Sequence, residues 1–134
     1  MLITPELTFT RSAGTLVTLG GAVYQARNNV ASNSRGPWPI GIFTFQRYDP
    51  KPEGLEPDPE GPFGAHGILI FDVPGRTGMG LHAGRATSPD GLDRCGIDHC
   101  TEGCIRLWEA DMAQLLGDPL YASGWTGCRL EVRE

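Results

Sequence analysis

Two segments, Gly78-Met79-Gly80-Leu81-His82-Ala83-Gly84-Arg85 and Cys100-Thr101-Glu102-Gly103-Cys104-Ile105-Arg106-Leu107, decide how this chain is read. In the first, Met79 and Leu81 alternate with Gly80 and His82, the period of a strand that turns its imidazole away from its apolar face. In the second, Ile105 and Leu107 alternate with Arg106 directly after Gly103-Cys104. A thiol and an imidazole therefore sit at the tips of two short strands, as a cysteine nucleophile and its base require. A free thiol is only slightly ionised at neutral pH, so a thiolate–imidazolium pair is expected between Cys104 and His82. Gly103 allows a sharp turn in which the N–H groups of Glu102, Gly103 and Cys104 converge as an oxyanion hole.

Taken singly, a buried cysteine or histidine is more often inert packing than chemistry; the two motifs together change that balance. Thr101-Glu102-Gly103-Cys104-Ile105-Arg106 resembles the [Ser/Thr]-x-Gly-Cys-[Ile/Val]-Arg motif of the L,D-transpeptidase (YkuD-like) catalytic domains. His82 falls where that family keeps its upstream histidine. Gly75-Arg76-Thr77-Gly78 is similar to the stretch preceding this histidine in a compact branch of type VI secretion effectors. Gly36-Pro37-Trp38-Pro39-Ile40-Gly41 resembles the turn such domains place before a central strand.

The resemblance implies a cysteine acyltransferase acting on peptidoglycan tetrapeptide stems through a Cys104 thioester, released to an amine, a free D-amino acid or water. It implies a main-chain carbonyl near Ala83 that fixes the imidazole tautomer. Arg106 would take a positioning part and Thr101 a pocket wall, with Arg85 meeting the stem carboxylate. Glu102 stands where many members carry a second histidine, and a carboxylate there would raise the thiol pKa unless Arg106 or Arg85 offsets it. No cofactor is implied. Similarity to the effector branch suggests an antibacterial toxin acting in a rival's periplasm and held in check by a cognate immunity protein. Housekeeping or phage-encoded crosslinking enzymes and a non-catalytic wall-binding module are the alternatives.

The 134 residues fit one L,D-transpeptidase-like domain spanning 1–134, with 40% hydrophobic and 20% charged residues. Nineteen glycines and eleven prolines favour a turn-rich β chain over a helical bundle. A net charge of −5 speaks against a nucleic-acid partner, and no apolar run reaches membrane-spanning length. Met1 to Glu6 lacks the basic and apolar regions of a Sec signal, so either a signal has been removed, or the protein is cytoplasmic, or it leaves by a route that needs none. Disulfides Cys95–Cys100 or Cys100–Cys128 are both open. A zinc site from Cys95, His99, Cys100 and Cys104 is disfavoured by its spacing.

Strands are expected at 7–11, 15–19, 22–26, 40–45, 67–71 and 78–83, after Cys104, and as an edge strand at 127–132. One helix is expected over 108–116. Asp49 to Pro62, with five prolines and five acidic residues, reads as a solvated loop, with a lid over a substrate groove as the sharper idea. The expected fold is mainly β, an antiparallel sandwich or half-open barrel, with one helix after the cysteine.

Overall fold

A computed structural model describes residues 5–86, 96–121 and 124–134. Eight strands form the sheet: β1 Leu7–Thr10, β2 Thr15–Thr18, β3 Val23–Arg27, β4 Gly41–Asp49, β5 Ile68–Asp72, β6 Gly80–His82, β7 Ile105–Leu107 and β8 Arg129–Arg133. They close into a barrel in the order β1-β2-β3-β7-β6-β5-β4-β8. The fold is thus mainly β as expected, and the barrel rather than the sandwich is the arrangement adopted.

Two pairings depart from an all-antiparallel meander. β1 runs parallel to β8, and β6 runs parallel to β7. The first makes closure possible: β8 pairs with β1 on one side and β4 on the other, so the expected edge strand has no free edge. Closure removes the unpaired N–H and C=O row that an edge would expose.

Strand parity explains the core. Leu7, Phe9, Leu16, Tyr24, Ala26, Leu81, Ile105, Leu107, Leu130 and Val132 point inward at alternate positions and are buried. Trp38 is fully buried in the same core, its ring edge-on to Phe43 at 6.0 Å and to Phe71 at 6.4 Å. Such pairs add about 0.5–1.5 kcal/mol each beyond area burial. The one α-helix among the described residues, α1 (Glu109–Leu116), buries Met112 and Leu115 against this core. No described helix is long and apolar enough to cross a membrane.

β5 is apolar on both faces for a reason. Leu69 and Phe71 belong to the barrel core, whereas Ile68 and Ile70 join Cys104 and Phe63 in a second apolar cluster. The continuous run Ile68-Leu69-Ile70-Phe71 thus serves two hydrophobic surfaces, and the outward one floors the cleft described next.

Candidate active site

The register of three adjacent strands brings the motif residues together. Leu81 pairs with Ile105 and His82 with Arg106, so Gly80, His82, Cys104 and Arg106 occupy alternate outward positions on neighbouring strands. Ile68 and Ile70 extend the same face on β5. Over this face lies a cleft of about 1250 Å³, and His82, Cys104, Arg106, Arg85, Thr101 and Glu102 all line it.

The sulfur of Cys104 accepts from the Gly80 N–H at 3.4 Å and donates to the Gly78 carbonyl at 3.5 Å. The side chain is buried, and burial pushes its pKa up; the Gly80 amide, then Arg106 and Arg76, pull the other way. His82 is 2% exposed, with Nδ1 only 2.6 Å from the Ala83 carbonyl. That contact assigns the proton of the neutral ring to Nδ1 and leaves Nε2 as the acceptor. Burial, followed by the Arg106 charge, lowers the His82 pKa to about 3, against a smaller opposing effect of the Ala83 bond.

These directions revise the expected ion pair. Desolvation opposes charge on both groups, so the Cys104 thiol and the His82 imidazole that share the cleft each favour the neutral form. Glu102, expected to bring negative charge close to the sulfur, is exposed, and the charged groups acting on the thiol are Arg106 and Arg76.

Main-chain geometry around Cys104 is set by small polar groups. The Thr101 hydroxyl donates to the Cys104 carbonyl at 2.7 Å and accepts from the Gly103 N–H at 3.2 Å. One of the three amides expected to converge as an oxyanion hole is therefore engaged by Thr101 in this state. Gly103 has φ +140°, and a Cβ there would lie 2.3 Å from an Arg76 nitrogen and 2.9 Å from the Met79 sulfur.

Arg106 makes no ion pair among the described residues and grips main chain instead. It is buried, and its guanidinium donates to three main-chain carbonyls: His99 at 2.7 Å, Pro62 at 2.9 Å and Ala83 at 3.3 Å. Burial and the neighbouring Arg85 push its pKa down to about 10, so it stays cationic at neutral pH. Arg85 adopts φ +56° and lines the same cleft, and its buried Nε has no hydrogen-bond partner among the described residues.

Three contributors escape a reading of the sequence. Asn28 donates to the carbonyls of Gly103 (2.8 Å) and Cys104 (2.9 Å) and accepts from the Trp38 N–H (2.8 Å), tying the cysteine turn to the core tryptophan. Arg76 donates to the carbonyls of Gly36 (2.7 Å), Pro37 (2.9 Å) and Glu102 (3.4 Å). Phe63 stands edge-on to the His82 ring, centroids 5.0 Å apart. Arg76 carries a signal, since two of the resembling stretches meet through it; Asn28 and Phe63 sit in segments that read only as loop.

The Cys100–Cys128 disulfide does not form. Cys128 is a free thiol in the barrel core, whereas Cys100 lines the outer cleft. Cys95, with the pairing and zinc readings that involve it, lies outside the described residues.

Fold and cleft together define a class: a closed β-barrel carrying an imidazole on one strand and a thiol at the entry to the adjoining parallel strand, both lining one outer cleft. The family model for the L,D-transpeptidase catalytic domain (YkuD) matches residues 6–118, and the chain belongs to that family. No curated protein matches the sequence at a significant level. Among solved structures, L,D-transpeptidase 1 of Mycobacterium tuberculosis is similar at 16% identity and a TM-score of 0.58, over 97% of this chain and 60% of that one. An L,D-transpeptidase from Mycobacterium smegmatis shares 18% identity with a TM-score of 0.56, over 97% of this chain and 59% of that one. One from Xylanimonas cellulosilytica shares 15% with a TM-score of 0.56, over 94% and 58%. At these identities the likeness is one of fold, and this chain spans about 60% of the length of those structures.

Proposed function

We propose that this chain is a cysteine-dependent peptidoglycan acyltransferase that opens the L,D bond of tetrapeptide stems. The observation carrying the proposal is a single cleft lined by Cys104 and by a His82 whose Nδ1 is tied to the Ala83 carbonyl. With Nδ1–H so engaged, Nε2 is the basic nitrogen. Rotation of the thiol away from the Gly78 carbonyl delivers its proton to Nε2 as the sulfur attacks the stem carbonyl. The imidazolium then protonates the leaving D-alanine amine, and the thioester passes to an amine or to water.

In this reading the neutral resting pair is an advantage: charge develops only as the C–S bond forms, where the cationic Arg106 and Arg76 stabilise it. Arg85, with its buried Nε lacking an acceptor, receives the carboxylate of the stem. Thr101 and Gly103 hold the cysteine turn, Glu102 faces the substrate from the rim, and Arg106 positions the Ala83 carbonyl rather than contacting the stem itself.

The Gly75-Arg76-Thr77-Gly78 stretch, whose arginine clamps the cysteine turn, supports the further reading of an antibacterial effector acting in the periplasm of a target cell. Carboxypeptidase and D-amino-acid exchange activity would follow from the same thioester, and an immunity protein would bind over the cleft. Tetrapeptide muropeptides incubated with the protein and followed by mass spectrometry test the enzymatic reading. Crosslinked, exchanged or trimmed stems are expected with wild type, and a drop of about 10²–10⁴-fold with Cys104→Ala or His82→Ala. Undiminished turnover in either variant refutes it.

A further inference from the structure

The segment before β5 has the composition of a solvated loop, yet its second half is pinned to the histidine strand. Arg85 N–H donates to the Gly61 carbonyl and Ala86 N–H to the Pro59 carbonyl, both at 3.0 Å, while Arg106 reaches Pro62 at 2.9 Å. Gly84 makes the approach possible: at φ +118°, a Cβ there would lie 2.5 Å from the Gly61 oxygen and 2.9 Å from both Gly64 N and Pro62 O. On the far side the Glu109 carboxylate accepts from the Ala65 N–H at 3.2 Å. Held at both ends, this turn brings Phe63 to the cleft. Its ring stands edge-on to His82 (5.0 Å, 60°) and packs with Ile68, Ile70 and Cys104.

We infer that Phe63 is a positioning residue for the thiol–imidazole pair: a fixed apolar roof that holds the His82 ring in plane with the Ala83 carbonyl and keeps water from Nε2. The Ala83 bond fixes one edge of the imidazole but leaves the ring free to tilt about it, and the Phe63 edge removes that freedom. The same ring separates the pair from solvent, so a thioester on Cys104 meets an acceptor bound in the cleft before it meets bulk water. Neither Pro62 nor Phe63 adds charge. The charged and titratable groups sharing the cleft with the imidazole are Arg106 from β7 and Cys104 just before it, Arg85 and His99 from the flanking loops, and Arg47, Asp49 and Glu53, with Cys100 and Glu102 at the cysteine turn.

The inference rests on reading His82 and Cys104 as the reacting pair, and its test is chosen to stand apart from turnover. Histidine ¹³Cε1 NMR titrations of wild type, Phe63→Leu, Phe63→Val and Phe63→Ala are compared, with methyl dispersion reporting the fold. With the roof removed, water reaches the imidazole and its midpoint rises from near 3 by about one pH unit or more in Phe63→Ala. Phe63→Val is expected between, and Phe63→Leu, which retains apolar bulk, close to wild type. If Ala fails to fold, Val against Leu carries the comparison. An unchanged midpoint in a folded Ala or Val variant overturns the inference, as does a Leu variant shifted as far as Ala. Product analysis on tetrapeptide muropeptides adds a second readout: the share of water-released product should rise about threefold or more in Phe63→Ala. An inert wild type would refute the proposed function, while the NMR midpoints would still decide the role of Phe63.

Discussion

Acidification should destabilise this protein through one ring. His82 is buried with a pKa lowered to about 3, against 6.5 for an exposed imidazole. Between those values the unfolded chain binds a proton at this position and the folded chain does not. Stability from this group is therefore complete above pH 6.5 and is lost as pH falls from 6.5 towards 3. At 1.36 kcal/mol for each tenfold change in proton affinity, the loss approaches about 5 kcal/mol, an upper bound. That is a large part of the 5–15 kcal/mol typical of a native domain. The assay is urea unfolding at pH 8, 7, 6, 5 and 4 for wild type and His82→Asn, whose amide retains a donor for the Ala83 carbonyl but does not titrate. The wild-type advantage should shrink by about 1 kcal/mol or more per pH unit below pH 6, with little change between pH 7 and 8. A difference curve flat from pH 7 to 4 would refute the buried neutral imidazole, and with it the neutral resting pair.

Further outcomes follow from the same contacts. Gly84→Ala drives a Cβ into three main-chain atoms at a left-handed φ, so it should cost about 2–4 kcal/mol, visible as a thermal midpoint lower by roughly 6–15 °C, and should lose activity more than proportionately. Arg106→Lys keeps the charge but not the three-pronged grip on the His99, Pro62 and Ala83 carbonyls; a stability loss of about 1–3 kcal/mol in urea unfolding and a fall in kcat are expected. Iodoacetamide labelling of resting Cys104, read by peptide mass mapping, should be slow at pH 7 and accelerate only at alkaline pH, because burial keeps the thiol protonated.

What can be read from the chain is whatever local pattern carries. Alternation locates most strands, and the spacing of Met112 and Leu115 locates the helix. The two chemistry-bearing motifs are legible because glycine and apolar alternation bracket the reactive residues. Barrel closure is not, since the parallel β1–β8 pairing joins the two ends of the chain and leaves no mark on either strand alone. Nor is the charge state of the pair: residue type suggests thiolate and imidazolium, but burial decides, and burial is a property of the assembled cleft. Asn28 and Phe63 illustrate the same limit. Each sits in a polar or proline-rich stretch, and each acts on a residue more than eighteen positions away in the chain. The proline-rich segment misleads because its composition predicts solvation, while Gly64 and Gly84 let its backbone press directly against the residues that follow His82.

The central claim is that a sulfur and an imidazole sharing one face of the barrel perform acyl transfer, and a covalent adduct tests it most directly. Wild-type protein mixed with a tetrapeptide stem, quenched in acid and mapped by mass spectrometry, should carry the acyl tripeptide on the Cys104 peptide, with at least one D-alanine released for each adduct. Release of D-alanine by Cys104→Ala, or an adduct on any other residue, would contradict the account.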